Sequence, residues 1–588
     1  MMGKNFLLFI SATSVLILAI VLFPAFDTTR NRTPVADLIV KNADIYTSDS
    51  AHPFAEAMAI RLGRILRIGN YSSVQELIGP GTEQLDVAGK LVVPGFIDSH
   101  VHLIPGGLQG VYLRTNIWSR ELRNLKMKRV KLRDARSRVE FVQKVKEAVV
   151  GKTKGSWVLG GGWNNEFWGK ELPEASWIDD VSSENPVWLS RMDGHMGLAN
   201  SLALKMAGIT KNTDDPAGGT IVRTANGEPT GMLVDSAMKL LLSSIPDVSI
   251  DERRDALVRA SKLALMRGVT TVVDLGRYFP GESAEAVWKD FSDVYNWADS
   301  TGKMLIRVCL FFPMETWSRL ADLIKARSRV ISHWIYLGGA KAFSDGSLGS
   351  NSALFYEPYV DEPQNNGLHL TDKDWLLKTM ILLDKLGLQI AVHAIGDKAN
   401  DLMLDLYDSI STANGLRDRR PRIEHAQHLA PEAVKRFGQL SVIASVQPDH
   451  LLDDANSAEK KLGVDRAQRG SYLFQSLLSS GAQIAFGSDW PVADINPLQG
   501  IRTAVRRIPP GWENAWIASE RVKPSDALNA YTISAAFACF LDHELGSLTP
   551  GKLADFVVLS TSWEDFEENV SASVLATYVG GKLAYFSD

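Results

Sequence analysis

The stretch LVVPGFIDSHVH, Leu91 to His102, decides the fold. Its apolar run LVVPGFID reads as a buried strand, and it ends in two histidines spaced two residues apart. Successive side chains of a strand alternate between faces, so His100 and His102 point the same way while Val101 points the other. Both imidazoles can then reach one ion. An H-x-H pair by itself is more often incidental than a ligand site, so what matters is where the strand sits.

Working outward, the body of the chain repeats the pattern. Apolar runs GVTTVVDLG, MLIRVCLFF, IYLGGAKAFSDG, LQIAVHAIGD, RPRIEHAQH, LSVIASVQPDH and AQIAFGSDW follow the first, separated by stretches such as DERRDALVRASKLALMR and DKDWLLKTMILLDKLG with helical spacing of apolar residues. Eight near-continuous hydrophobic strands alternating with helices predict an α/β protein with a closed parallel (β/α)8 barrel, covered on both faces. The gap between the first and second runs, residues 110–265, is too long for one helix or a bare loop and must hold an inserted subdomain. That insert is rich in tryptophan and glycine and leaves from the end of a strand.

Short β patterns occupy both chain ends: ADLIVKNADIYTSD and EAMAIRLGRILRIGN near the start, GKLADFVVLS and ATYVGGKLAYF near the finish. Two distant groups of strands flanking an α/β body predict that the ends meet in one small β domain. The resulting division is an apolar N-terminal segment at 1–26, a polar linker at 27–36, a β domain from 37–91 with 545–588, a barrel from 92–109 with 266–544, and the insert 110–265 covering the active site.

With 63 basic and 68 acidic residues mixed along the sequence, the charge pattern carries no nucleic-acid footprint. Cys309 and Cys539, the two cysteines, each sit in an apolar run and read as core thiols, not as a disulfide or metal pair. The segment NFLLFISATSVLILAIVLFPAF, from Asn5, is uncharged and about as long as a bilayer-spanning helix. No small-x-small cleavage site stands out after it, which favours an uncleaved anchor over a cleaved signal peptide. Acceptor sequons begin at Asn31, Asn70 and Asn569 and would be used only on a lumenal body.

The other candidate ligands fall where the first pair does, at strand ends: His393 in LQIAVH, His425 in RPRIEH and Asp489 in AQIAFGSD. Active-site residues of such barrels come from the carboxyl ends of the strands, and nitrogen and carboxylate donors together suit zinc or a similar divalent ion. Lys341, in YLGGAKAFSDG, is the oddity, because an ammonium there is costly to desolvate and repels a metal. Either a carboxylate such as Asp345 pairs with it, or its amine reacts with carbon dioxide to give a carbamate that can bridge two metals.

Taken together, GFIDSHVH, AKAFSDGSLGS, VHAIGD, RIEHAQ, GSDWPV and the closing PGKLADFVVL resemble the amidohydrolase superfamily, more narrowly its YtcJ-like third group. The insert motifs GGWNNEFW, DGHMGLANSLAL and GEPTGML match that group too, and the anchored N-terminus suggests a plant branch of it. The resemblance implies a distorted barrel, a composite β-sandwich of both ends, and hydrolysis of non-peptide, amide-like carbon–nitrogen bonds. It implies that His100, His102 and Asp489 hold a first metal and that His393 and His425 hold a second, with carbamylated Lys341 as the bridge and two zinc ions per chain as cofactors.

Within that reading Asp489 is the catalytic proton acceptor and donor. Asp98 and Asp345 either orient imidazoles or serve turns. His195, His428 and His450 are candidates for the substrate pocket, and Trp163 and Trp168 for an apolar lid. The expected partner is a small-molecule amide, with membrane contact through the N-terminus at the endoplasmic reticulum and a homodimer as a further expectation. Two other readings compete: a mononuclear deaminase-like hydrolase, and a non-catalytic barrel serving as a signalling scaffold at an endomembrane.

Overall fold

The computed structural model describes residues 34–109 and 129–587. The apolar segment at 1–26 and the sequon at Asn31 lie outside the described residues. Among those described, no helix is long and apolar enough to cross a membrane.

Eight strands form one parallel sheet: β1 (Phe96–Val101), β2 (Val269–Asp274), β3 (Arg307–Pro313), β4 (Ile335–Phe343), β5 (Gln389–Ala394), β6 (Arg422–His425), β7 (Ile443–Val446) and β8 (Ile484–Phe486). They neighbour one another in chain order, and every residue in them is buried on both faces. The barrel closes just past its last strand. The amide of Asp489 donates to the His100 carbonyl at 2.7 Å and that of His102 to the Trp490 carbonyl at 2.8 Å, next to a parallel bridge between Val101 and Trp490. The α/β barrel expected from the eight apolar runs is therefore present, and both Cys309 and Cys539 are buried free thiols in it.

The helices between strands follow their apolar spacing. The helix Ile250–Met266 starts at Ser249, whose hydroxyl accepts from the amide of Glu252, and buries Ala256, Leu257, Ala260, Leu263 and Ala264 against the barrel. Lys373–Lys385 is capped in the same manner by Asp372.

The run LVVPGFID is two strands, not one. Leu91–Pro94 pairs with the C-terminal strand Phe556–Leu559 in a separate sheet, and the barrel strand begins after Gly95. A Cβ on Gly95 would lie 2.3 Å from the Thr270 hydroxyl, so the chain crosses from sheet to barrel at a point where only glycine fits. Sheet order around that junction is Lys582–Phe586, Val574–Val579, Phe556–Leu559, Leu91–Pro94, Asp44–Tyr46, Phe54–Ala55. Its facing partner is a four-stranded sheet built from Leu38–Lys41, Ala57–Arg61, Arg64–Gly69 and Glu83–Asp86, and Leu38, Val40, Met58, Val92, Phe556 and Val558 form the core between them. Arg307 of β3 ties the barrel to this sandwich through two bonds to the buried Asp555 carboxylate, at 2.8 and 2.9 Å.

A third sheet belongs to the insert. Six strands run in the order Gly219–Arg223, Pro229–Asp235, Met196–Ala199, Val187–Arg191, Val158–Trp163, Val130–Lys131. Its own core holds Phe141, Val158, Trp163, Trp177, Leu189 and Met232.

Candidate metal centre

The carboxyl ends of the barrel strands bring the predicted donors together. Imidazole centroids form a chain across the mouth: His102 to His100 at 5.6 Å, His100 to His425 at 5.0 Å, His425 to His393 at 4.5 Å. Asp489 Oδ1 lies 3.4 Å from Nε2 of both His100 and His102. Donor atoms of His100, His425 and Asp489 all fall within 4.8 Å of one another.

Each of these imidazoles has one nitrogen tied down. His100 Nδ1–H donates to Glu424 at 2.8 Å, His102 Nδ1–H to the Gly276 carbonyl at 2.6 Å, and His425 Nδ1–H to the Gln447 side-chain oxygen at 2.8 Å. The Gln447 amide is oriented in turn by its own bond to the Ser445 carbonyl at 3.2 Å. Three Nε2 lone pairs are thereby left facing the cavity, the arrangement by which proteins hold imidazoles for metals. His393 is held the other way round: its Nε2–H donates to the Gly346 carbonyl at 3.0 Å, which leaves Nδ1 as the lone-pair atom.

Does the donor set fit an ion? Asp489 Oδ1 is buried and has no aligned hydrogen bond among the described residues, although a buried carboxylate oxygen ordinarily takes one. Neighbouring donors on a tetrahedral zinc site stand about 3.3–3.5 Å apart given bond lengths of ~2.0–2.2 Å, and that is the spacing found between Asp489 and the two imidazoles. The residues fit a divalent cation.

Electrostatics point the same way. Burial pushes the His100 imidazolium down to about 4, so the ring is neutral and its lone pair available at neutral pH. Burial likewise drives His425 and His393 well below the ordinary histidine value. For Asp489 burial opposes ionisation but is outweighed by His100 and His102, and the group stays anionic. Lys341, 1% exposed on β4, is pushed down to about 8 by burial despite the attraction of Glu424 and Asp489. Among the described residues it makes no ion pair within 4 Å, so the anticipated pairing with Asp345 is not there.

Asp345 and Asp98 hold loops. Asp345 accepts from the amides of Leu354, Ile395 and Gly396 at 2.8–3.0 Å, and Asp98 accepts from the Ser488 hydroxyl and amide at 2.5 and 2.9 Å. Burial raises each to about 7. Two donors stand on backbone that L-residues seldom adopt, His425 at φ 77° and Asp489 at φ 54°. Such positions cost roughly 1–3 kcal/mol each and persist where the surroundings impose them.

A cavity of about 60 Å³ opens over the donors, walled by Arg191, Asp193, His195, His393, His425, His450 and Asp489 among others. Arg191, Met192 and Val492 also wall an adjoining chamber of about 420 Å³ that holds Leu108, Trp188, Met238 and Phe279. Phe279 packs on the His102 ring at 4.0 Å.

The expected pocket residues divide. His195 and His450 line the cavity, with His450 Nε2 3.9 Å from Asp489 Oδ2. His428 lies behind the wall, bonded through Nδ1 to the Ser471 hydroxyl at 2.8 Å and packed on Phe355. Trp163 and Trp168 are no lid: Trp163 is fully buried and donates to the Leu189 carbonyl at 2.8 Å, and Trp168, half-buried, packs beside it at 6.5 Å against the core of the insert. Glycine-flanked tryptophans had suggested exposed loops, but burying indole area inside the insert is the larger gain.

Sequence reasoning missed Glu424, Gln447, Arg191, Asp193 and Asp235. Glu424 precedes His425 and by strand alternation belongs on the opposite face; the positive φ of His425 breaks that alternation and lets both side chains turn inward.

The comparisons agree with this geometry. Residues 83–585 match the amidohydrolase family. The chain is 60% identical to Protein LONG AFTER FAR-RED 3 of Arabidopsis thaliana, covering 98% of each. It is 32% identical to putative amidohydrolase YtcJ of Bacillus subtilis, over 88% of this chain and 93% of that one. To the N-substituted formamide deformylase of Arthrobacter pascens it is 28% identical, over 94% and 99%. Among solved structures, an uncharacterized metal-dependent hydrolase from Pyrococcus horikoshii superposes with a TM-score of 0.67 at 25% identity, covering 89% of this chain and 97% of that chain. On the match of 83–585 and the identity to these relatives, the chain belongs to the amidohydrolase family.

Proposed function

We propose that the protein hydrolyses an amide-like carbon–nitrogen bond in a small molecule, using a divalent metal held by His100, His102, His425 and Asp489. The observation that carries this reading is the buried Asp489 Oδ1, without an aligned hydrogen bond, facing two imidazole lone pairs at 3.4 Å. A bound ion supplies Lewis acidity, lowering the pKa of water and polarising the substrate carbonyl. The chain does the rest. Asp489 is anionic and can take a proton from the attacking water and deliver it to the leaving nitrogen. Glu424, Gln447 and the Gly276 carbonyl keep the imidazoles in the productive tautomer.

The two cavities differ greatly in size, about 60 Å³ over the donors against about 420 Å³ beside them. That asymmetry supports an amide with a small acyl group at the metal and a bulky substituent on nitrogen, in keeping with the name of the formamide deformylase relative. In this reading the apolar N-terminal segment anchors the enzyme at the endoplasmic reticulum membrane, which extraction with alkaline carbonate would check.

Metal number divides two versions. Lys341, His393 and His425 together support a second ion bridged by a carbamate on Lys341. A single ion is favoured by His100, His425 and Asp489 being, among the described residues, the set of three donors found within 4.8 Å. Metal analysis of zinc-loaded protein, with hydrolysis of N-substituted formamides and acetamides, tests both. Two zinc ions per chain and loss of one in Lys341→Ala support the bridged form; one ion and an active Lys341→Ala support the other. Zinc-loaded protein that turns over no amide counts against the enzyme reading altogether.

A further inference from the structure

The insert places a histidine, His195, on the cavity wall beside the barrel donors, with a buried carboxylate, Asp235, behind it. His195 precedes the strand Met196–Ala199, and Asp235 ends the strand Pro229–Asp235 that pairs with it. The two residues clamp each other twice: the Asp235 amide donates to the His195 carbonyl at 2.8 Å, and His195 Nδ1–H donates to Asp235 Oδ1 at 2.6 Å. Asp235 is fully buried and sits at φ 47°, a conformation that turns its carboxylate back under the imidazole. Close packing beneath it depends on Gly346, where a Cβ would lie 2.7 Å from Asp235 Oδ2.

With Nδ1 committed, Nε2 is the free ring nitrogen. It has no hydrogen-bond partner among the described residues, and His195 lines the cavity with its ring 4.9 Å from that of His393. A buried carboxylate that fixes one nitrogen of an imidazole and aims the other at a reaction site is how a histidine is prepared to touch a reacting group. The barrel strands supply the metal donors; the insert supplies this pair.

Resting on the metal-dependent hydrolase reading of this site, we propose that His195 is a catalytic residue whose Nε2 hydrogen-bonds the scissile amide of the substrate, and that Asp235 is its positioning residue. The insert is then part of the active site and not merely a cover.

Acetohydroxamic acid is a suitable probe, since it carries an amide-like head small enough for the cavity and binds zinc. Zinc-loaded full chain would be titrated with it calorimetrically, alongside His195→Ala, His195→Gln, Asp235→Asn and the double variant, with zinc content measured for each. All variants are expected to keep the zinc of the wild type. Removing His195 weakens hydroxamate binding about 10- to 100-fold, the worth of one hydrogen bond to a charged group. His195→Gln recovers part of that loss. Asp235→Asn weakens binding too, but adds nothing to His195→Ala in the double variant, which a merely structural carboxylate would not show.

Equal hydroxamate affinity in wild type and His195→Ala overturns the proposal, as does loss of zinc from His195→Ala, which would make the residue a ligand instead. Wild type that holds zinc but binds no hydroxamate overturns it while leaving the metal centre standing. Wild type that takes up no zinc overturns the proposed function first, and this inference with it.

Discussion

Replacing Lys341 by methionine should make the metal-free protein more stable and less capable. The ammonium is 1% exposed, and burial lowers its pKa from an ordinary 10.5 to about 8. At ~1.4 kcal/mol per pH unit, that difference corresponds to about 3 kcal/mol by which the folded site disfavours the charged lysine. Methionine fills nearly the same volume without a charge. With ~2.1 cal/mol/K of unfolding entropy per residue, a 588-residue chain that unfolds as a unit gains about 2–3 °C in Tm from 3 kcal/mol.

The pH dependence identifies the cause. A lysine whose folded pKa is depressed carries its full penalty below the folded value and none above the unfolded one. The advantage of Lys341→Met should therefore be complete at pH 7, shrink as pH rises from about 8, and vanish above about 10.5. Melting of chelator-treated, carbon-dioxide-free wild type and variant across that range is the assay. A variant less stable than wild type at pH 7, or a difference that ignores pH, refutes the argument. A residue that costs this much and is nonetheless present in the site calls for a function, and the carbamate bridge proposed above would give it one.

Glu424→Gln should weaken zinc affinity about 10- to 100-fold by loosening His100, and should destabilise the fold because Arg422, bonded to Glu424 at 2.8 Å, is left buried without its counter-charge. Chelator competition and urea unfolding read the two effects separately. Asp489→Asn should lower kcat/KM by about 10²–10⁴-fold with the circular dichroism spectrum unchanged, as expected for loss of a proton-transfer group. Gly487→Ala should disturb the centre without touching a donor, since its Cβ would lie 2.6 Å from the His100 amide nitrogen; reduced zinc occupancy is the expected result. Dialysis against a chelator should abolish hydrolysis, and added zinc should restore it.

Much of this arrangement could be read from sequence because it follows from period and position. The strands β1, β5 and β6 each carry a histidine at or next to the carboxyl end, and in a parallel barrel those ends converge. His100, His393, His425 and Asp489 were legible on that account. The supporting residues were not. Gln447 lies just beyond β7, where nothing local separates it from an ordinary polar residue. Asp235 closes a strand of the insert, far in sequence from the histidine it grips. Trp163 misled for a related reason, since the glycines before it permit either a loop or the tight pairing of Gly160 and Gly161 against Val130 and Lys131 that the insert uses.

The division between legible and hidden residues follows a physical line. Donors must reach one point in space, so topology constrains them and leaves a signature at strand ends. Residues that orient donors need only reach one ring nitrogen each, and three different groups do so here: a carboxylate on β6, an amide beyond β7 and a backbone carbonyl beyond β2. The Gly276 carbonyl leaves no side-chain identity to read at all. The same logic predicts that Gln447→Glu, which can still accept from His425 Nδ1–H but loses the bond to the Ser445 carbonyl, keeps the His425 tautomer. It also sets a third carboxylate beside Asp489 and Glu424. Zinc affinity measured by chelator competition should then hold or rise, while Gln447→Leu, which offers His425 no acceptor, should lose about 10-fold or more. Equal losses in the two variants would show that Gln447 acts through packing and not through the imidazole it faces.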